Sequence, residues 1–524
     1  MKYPIGIQTF SQIIENGFVY VDKTDMVYSL ATEGKVYFLS RPRRFGKSLL
    51  LSTLRSYFDG KKDLFKGLKI DALEKDWHQH KVFHIDFNGT NFTVPGALNM
   101  KIEGYIHDWE KEYDITPEVD FGLGSRFEKI LKVASEKSGR GVVVLIDEYD
   151  KPLLDVLERD PDLLDRNREI LKAFYSVFKQ SDAYLRFVFL TGVTKFSQIS
   201  VFSGFNQPLD ISMSEKYESL CGITEEELLS YFAEPIREMA DSEGCTEEEM
   251  QKLLKQRYDG YHFGKTMTDI YNPFSLLNAF YNKDIRDYWF ASGTPTYLIR
   301  LMNHFNEGID ELTGKYYSLD EFVNYKADIE YPLPMIYQSG YLTIKDYERD
   351  MGLFLLDFPN NEVKSGFLTM VATNYLQCEA TLDSWIRQAV FALKKGRLEE
   401  FRKMLTSFLA SIPYTMRRKE DERERERYFQ YTFYLLLRLM SVYTVSLERE
   451  QSEGRVDCIV DTPQYVYIFE FKLDGTAAEA LKQIEDKGYA RPYGNDTRTI
   501  YKIGVSFSSQ TGTIEDWQEI TSSR

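Results

Sequence analysis

The sequence predicts an α/β protein with a catalytic-looking α/β domain at each end, joined by a helical lid and a mixed helical and β-hairpin middle region. Three observations carry this reading. Apolar runs such as Val142-Val143-Val144-Leu145-Ile146 alternate with helical patterns through the first third, the signature of a parallel sheet covered by helices. Gly46-Lys47-Ser48 follows one of these strands and opens a helix. Near the C-terminus, two apolar strands around a short turn bring Asp457, Glu470 and Lys472 to one sheet face. A length of 524 residues with 43% hydrophobic content supports several separate cores. The expected division is 1–213, 214–291, 292–423 and 424–524.

Strands are expected over Val36–Ser40, Val82–Phe87, Val142–Ile146 and Arg186–Thr191, with a helix over Leu49–Phe58. Ser214 to Ala291 reads as helical and acidic, and Thr224-Glu225-Glu226-Glu227 offers a helix N-cap with a favourably charged first turn. Gly340–Ile344 and Gly352–Leu356 flank a charged turn, as in a hairpin. The mixed-charge run Arg417–Arg427 marks the last boundary. Thr476-Ala477-Ala478-Glu479 is a capping box, and Gly488 stops the helix it opens.

The net charge of −16 confines any nucleic-acid contact to local basic patches. Cys221, Cys245, Cys378 and Cys458 form no Cys-x-x-Cys pair, so neither a zinc site nor a disulfide framework is expected. The N-terminus lacks the apolar core of a signal peptide, and Tyr428–Leu447 reads as a buried core helix rather than a membrane span. A cytoplasmic protein with reduced thiols, not attached to a membrane, is the expectation.

A phosphate-binding loop needs a strand leading to a helix N-terminus, free backbone N–H groups, a lysine for the β and γ phosphates and a hydroxyl for Mg²⁺. Arg43, Arg44, Phe45, Gly46, Lys47, Ser48 and Leu49 are the nucleotide-binding candidates of such a Walker A loop. Arg41 stands where the general pattern has its first glycine; Pro42 could rigidify the turn, and Arg41, Arg43 or Arg44 could add positive charge. Asp147 and Glu148 end a buried strand, as a Walker B pair does, at the edge where ligands bind in open α/β sheets. Asp147 is expected to hold Mg²⁺ with Ser48, and Glu148 to orient the attacking water. The fourth strand ends in the polar group Thr191-Gly192-Val193-Thr194-Lys195, where a γ-phosphate-sensing residue could sit, and Thr191 is a further nucleotide-binding candidate. The plainer reading is that Asp147 and Glu148 cap the helix beginning near Lys151-Pro152.

At the other end, centring a hairpin between Pro463 and Gln464 sets Asp457 opposite Glu470, with Lys472 on the same face. Asp457 and Glu470 are candidate ligands of Mg²⁺ or Mn²⁺, with Lys472 and Gln483 acting on nucleophile and phosphate. Lys487 lies one turn from Gln483, and Glu426 could add a further carboxylate. The alternative is cross-strand salt bridging without a metal.

These residues resemble the bacterial AAA-ATPase-like proteins that carry a C-terminal PD-(D/E)XK nuclease domain. The resemblance rests on Tyr20–Thr24, Phe38–Leu49 and Leu145–Pro152, and on Glu448–Asp457, Glu470-Phe471-Lys472 and Gln483–Tyr489. Arg41 is usual in that family, whereas Gln430 stands where relatives often have histidine. Tyr258–Tyr261, Asn272–Ser275 and Tyr288–Pro295 match further recurring segments of no assigned role. The resemblance implies an AAA/ASCE-like P-loop core, Mg²⁺-dependent ATP hydrolysis and a restriction-endonuclease-like C-terminal domain acting on DNA or RNA. Homo-oligomers are expected by analogy, since AAA-like sites are often completed between subunits. The expected function is an ATPase controlling a metal-dependent nuclease, in mobile-element or phage-defence biology. The alternatives are a nucleotide-switched nucleic-acid-binding or signalling protein whose nuclease-like domain is inactive, and a metabolic kinase.

Overall fold

The computed structural model describes residues 1–117, 122–157, 159–196, 208–292, 312–325, 331–376, 382–411, 432, 435–436, 438–441, 446–451, 454–494, 496–508 and 510–522. They fall into two compact units, Met1–Val363 and Lys364–Arg524.

The first unit is built on a parallel sheet of β1 (Val36–Ser40), β2 (Val82–Asp86), β3 (Val142–Asp147), β4 (Leu185–Gly192) and β5 (Leu209–Asp210), in the order β2-β3-β4-β1-β5. Every residue of β3 is buried, which explains its unbroken apolar run. The four expected strands are found within about a residue or two of their expected ends; β5, only two residues long, gave no sequence signal. Because β4 lies between β1 and β3, the carboxyl ends of all three come together. There the chain leaves β1 and enters the helix Lys47–Phe58 through Gly46, whose φ of 92° is a left-handed conformation natural to glycine.

The helices Glu225–Glu243, Glu247–Tyr258 and Pro273–Asn282 share a core that includes Leu228, Phe232, Met250, Leu254, Leu276 and Phe280. Thr224 and Glu227 form the anticipated N-terminal cap as a reciprocal capping box. A short ladder pairs β6 (Ile223–Thr224) with β7 (Ile270–Tyr271). Lys23 pairs with Glu227 at 2.5 Å, while Asp22 accepts from the Thr24 hydroxyl and the Lys69 amide, so Tyr20–Thr24 acts as a structural junction. Beyond the helices stand β8 (Lys315–Ser318), β9 (Thr343–Glu348) and β10 (Leu353–Asp357), ordered β8-β10-β9. The anticipated hairpin is β9 and β10; the edge strand β8 was not foreseen.

The second unit carries a sheet of β11 (Ser446–Gln451), β12 (Gly454–Asp461), β13 (Tyr465–Leu473), β14 (Thr499–Phe507) and β15 (Ile514–Ser522) in sequence order. β13 and β14 are parallel, linked through the helix Ala477–Asp486, and the other neighbours are antiparallel. That helix has the anticipated Thr476–Glu479 capping box and lays Leu481 and Ile484 on Ile459, Val466 and Ile468. Its approach is close enough that a Cβ on Gly504 would come within 2.1 Å of the Ala477 carbonyl oxygen, so only glycine fits there.

Among the described residues no helix is long and apolar enough to cross a membrane. Most of Tyr428–Leu447 lies outside the described residues, as do Cys378, Arg417–Arg427 (with Glu426) and Gln430. Cys221, Cys245 and Cys458 are free thiols.

Candidate functional sites

The first site is assembled where β1, β3 and β4 end. The Ser48 hydroxyl donates to Asp147 Oδ2 at 2.6 Å, and the Thr191 hydroxyl donates to Asp147 Oδ1 at 2.6 Å. The Glu148 amide adds a bond to Oδ1 at 3.1 Å. Asp147 is therefore a buried carboxylate held in one orientation by groups from three elements. It does not cap the short helix Lys151–Leu154, whose N-cap is Asp150 with no side-chain cap bond. Glu148 sits at φ 53°, an uncommon left-handed conformation for a side-chain-bearing residue. Its Oε1 lies 3.8 Å from Lys47 Nζ, which donates to the carbonyls of Arg41 and Pro42 at 3.0 and 3.2 Å.

Arg43, Arg44, Gly46, Lys47, Ser48, Leu49 and Glu148 line a cavity of about 590 Å³. Its remaining wall includes residues that motif reading did not assign: Ile5 and Ile7 near the N-terminus, Asn88 after β2, Lys151, and Phe274, Leu277 and Asn278 on the helix Pro273–Asn282. The wall thus combines apolar and charged side chains, with the Arg44 guanidinium 5.1 Å from the Phe274 ring, a mixture that suits a nucleotide. Asn272–Ser275 was a visible signal, since Asn272 caps that helix through the Phe274 and Ser275 amides. Nothing in the segment's own pattern reveals what it faces.

Three expectations about individual residues are corrected by their side-chain surroundings. Arg41 adds no charge to the cavity: its guanidinium is buried and donates to the carbonyls of Ser40, Ser212 and Tyr217 at 2.9, 2.6 and 3.3 Å, with the Phe263 ring 4.0 Å away. Burial lowers its pKa. The position where a glycine was expected is instead a strut between the loop and the Ser212–Glu218 segment. Phe45 also turns inward, meeting Tyr261 and Phe263 edge-on at 4.8 and 5.5 Å, so only its backbone can serve a ligand. Thr191 donates its hydroxyl to Asp147 Oδ1 and is not among the residues lining the cavity. Arg41→Met is expected to destabilise this unit by about 3 kcal/mol, because several buried carbonyls lose their donors. A lower first transition in scanning calorimetry of the full chain would register it.

The second site lies on the helix-facing side of β13. Lys472 Nζ donates to Gln483 Oε1 at 2.6 Å and stands 3.6 Å from Glu470 Oε1, while Gln483 Nε2 donates to the same Glu470 oxygen. Glu470 is 2% exposed. Two strand residues and one helix residue are thus joined as one cluster. Glu470 pairs in register with Gly504, whose missing side chain admits the helix that delivers Gln483. The β12–β13 register, Cys458 with Phe469 and Ile459 with Ile468, is the one the turn centre predicts. Continuing it by one residue sets Asp457, on β12, opposite Glu470. The Asp457 side chain lies outside what the structure describes.

Comparison with known proteins finds a family match at each end of the chain. Residues 4–202 match the family model described as Predicted AAA-ATPase, and residues 424–517 match that of the PD-(D/E)XK nuclease superfamily. A curated relative from Azotobacter chroococcum mcd 1, named for its position in the vnfD 5′ region, is 36% identical over 522 residues, covering 98% of each chain. Two solved structures share a slight likeness: Cdc6p from Pyrobaculum aerophilum, at 12% identity over 66% of this chain and 92% of that one with a TM-score of 0.25, and the Aeropyrum pernix ORC1 protein in complex with DNA, at 10% identity over 66% and 90% with a TM-score of 0.22.

Proposed function

Because the chain belongs to the family of AAA-ATPase-like proteins carrying a C-terminal PD-(D/E)XK nuclease domain, we propose that it binds and hydrolyses ATP and that its nucleotide state controls a metal-dependent nuclease. Phage defence or mobile-element biology is the setting we assign to it. The observation that carries the ATPase reading is the single constellation of Ser48, Asp147, Lys47 and Glu148 beside one cavity.

In this reading the Walker A backbone from Arg43 to Leu49 and the Lys47 ammonium receive the phosphates, while Arg43 and Arg44 add charge at the mouth. Lys47 exchanges the Arg41 and Pro42 carbonyls for phosphate oxygens. The base lies against Ile5, Ile7, Phe274 and Leu277. Mg²⁺ suits the paired hydroxyl and carboxylate oxygens of Ser48 and Asp147, both hard donors, and supplies charge neutralisation at the phosphates. Thr191 acts indirectly, by fixing Asp147. Glu148, the carboxylate not locked by hydroxyls, orients and deprotonates the attacking water.

The C-terminal cluster fits phosphodiester cleavage through the same donor chemistry. Glu470 and, at the neighbouring register position, Asp457 provide carboxylates for Mg²⁺ or Mn²⁺. A divalent ion held there would supply an activated water. Lys472, held by Gln483, places a cation where a phosphate oxygen or hydroxide would carry charge. DNA or RNA is the partner, and a homo-oligomer is the assembly we assign by analogy.

The test is cleavage of labelled single- and double-stranded DNA and RNA with Mg²⁺ or Mn²⁺, with and without ATP, comparing wild type with Lys47→Ala and Lys472→Ala. Cleavage is expected to vanish in Lys472→Ala and to lose its ATP dependence in Lys47→Ala. No cleavage under any combination would sink the nuclease assignment and leave a nucleotide-switched nucleic-acid binder.

A further inference from the structure

We propose that Trp289 is a positioning residue for the phosphate loop, its indole N–H holding the Arg43 carbonyl so that the following amide serves the phosphates. The inference rests on the nucleotide reading above. Trp289 Nε1 donates to Arg43 O at 3.0 Å across 246 residues of sequence. The indole is 5% exposed and its ring packs on Tyr341, with centroids 5.1 Å apart; both residues line the cavity.

An anion site built from backbone can use N–H groups but is harmed by carbonyl oxygens that face it, because each carries partial negative charge. Taking the Arg43 carbonyl with a donor removes that penalty. The peptide is trans, so its N–H points opposite to its C=O. Fixing the Arg43 oxygen on the indole therefore aims the Arg44 amide away from Trp289. Arg44 itself has φ 67°, a conformation its side chain disfavours and which needs support from its surroundings. The Trp289 bond to the preceding peptide supplies such support.

Trp289 is in turn anchored. Its backbone amide donates to Glu362 Oε1 at 2.7 Å, and the Ser275 hydroxyl donates to Glu362 Oε2 at 2.7 Å. Glu362 is 1% exposed, so this carboxyl is a buried bracket joining the Asn272–Ser275 segment and Trp289 to the loop. Asn272–Ser275 presents Phe274 to the cavity and Ser275 to the bracket; the segment starting at Tyr288 presents Trp289 to the loop. Their common task is to hold the loop in a phosphate-receiving form.

The experiment measures equilibrium binding of ATP and of adenosine to the full chain in three forms: wild type, Trp289→Phe, and a chain with benzothienylalanine at position 289, which keeps the bicyclic ring and lacks the N–H. The expected result is ATP affinity weakened about 10-fold in both variants, the scale of one hydrogen bond, with adenosine affinity unchanged. Unchanged ATP affinity in the benzothienylalanine protein would overturn the proposal. Equal losses for ATP and adenosine would also overturn it, since packing alone would then explain the effect. Failure of wild type to bind either ligand would overturn it together with the nucleotide reading.

Discussion

Glu148→Gln is expected to lower ATP turnover about 10²- to 10⁴-fold, the usual contribution of a positioned base, while ATP binding stays within a few-fold of wild type. The two adjacent carboxylates are placed for different work. Asp147 is nearly inaccessible, with one oxygen on Ser48 and the other on Thr191. Those hydroxyls fix its orientation, which suits the cation-ligand role proposed for it, and a proton acceptor so encumbered would be a poor base. The Glu148 side chain is 20% exposed, lines the cavity and approaches Lys47 only to 3.8 Å. The left-handed backbone at Glu148 turns it out of the strand's alternation. Glutamine preserves its size and hydrogen bonding but cannot accept the proton. Single-turnover hydrolysis with pre-bound ATP separates the two quantities. Turnover equal to wild type would remove Glu148 from the mechanism.

Those roles follow from contacts that the sequence revealed unequally. β3 and β4 were legible because strands buried on both faces have no polar alternation to disguise them. The β12–β13 register was legible because Asp461-Thr462-Pro463-Gln464 permits few turn centres, and Thr462 closes the turn through the Tyr465 amide. The meeting of Ser48 with Asp147 was expected from motif chemistry alone. A phosphate sensor was expected within Thr191–Lys195; the insertion of β4 between β1 and β3 brings the Thr191 hydroxyl to Asp147.

What stayed hidden has a common cause. Arg41, Phe45 and Trp289 act through contacts with residues distant in sequence, and no local periodicity encodes which carbonyl or ring a side chain will meet. An arginine in a basic loop reads as charge for a ligand until its burial is known. β8 stayed hidden for a different reason: Lys315-Tyr316-Tyr317-Ser318 is a short, half-exposed edge strand whose pattern differs little from a loop.

The second large effect concerns Glu470. Glu470→Gln is expected to abolish cleavage, by about 10²-fold or more, and at the same time to leave the fold as stable as wild type or slightly more so. The reason is the cost of the native arrangement. A carboxylate 2% exposed between apolar strands surrenders hydration, and an ion pair with a partly exposed lysine at 3.6 Å returns only part of that loss. Glutamine leaves Lys472 bonded to Gln483 and partly in water, so the metal-free fold changes little whatever the role of the cluster, and cleavage and metal response carry the distinction between a metal site and a structural salt bridge. Metal separates the two cases without requiring a substrate. Mn²⁺ binding only the folded state raises the unfolding temperature of that unit in proportion to RT ln(1 + [Mn²⁺]/Kd). Wild type should therefore shift upward on titration with Mn²⁺, and Glu470→Gln should not. A shift of equal size in both proteins would place the metal elsewhere, and no shift in either would return Glu470, Lys472 and Gln483 to the role of a structural cluster.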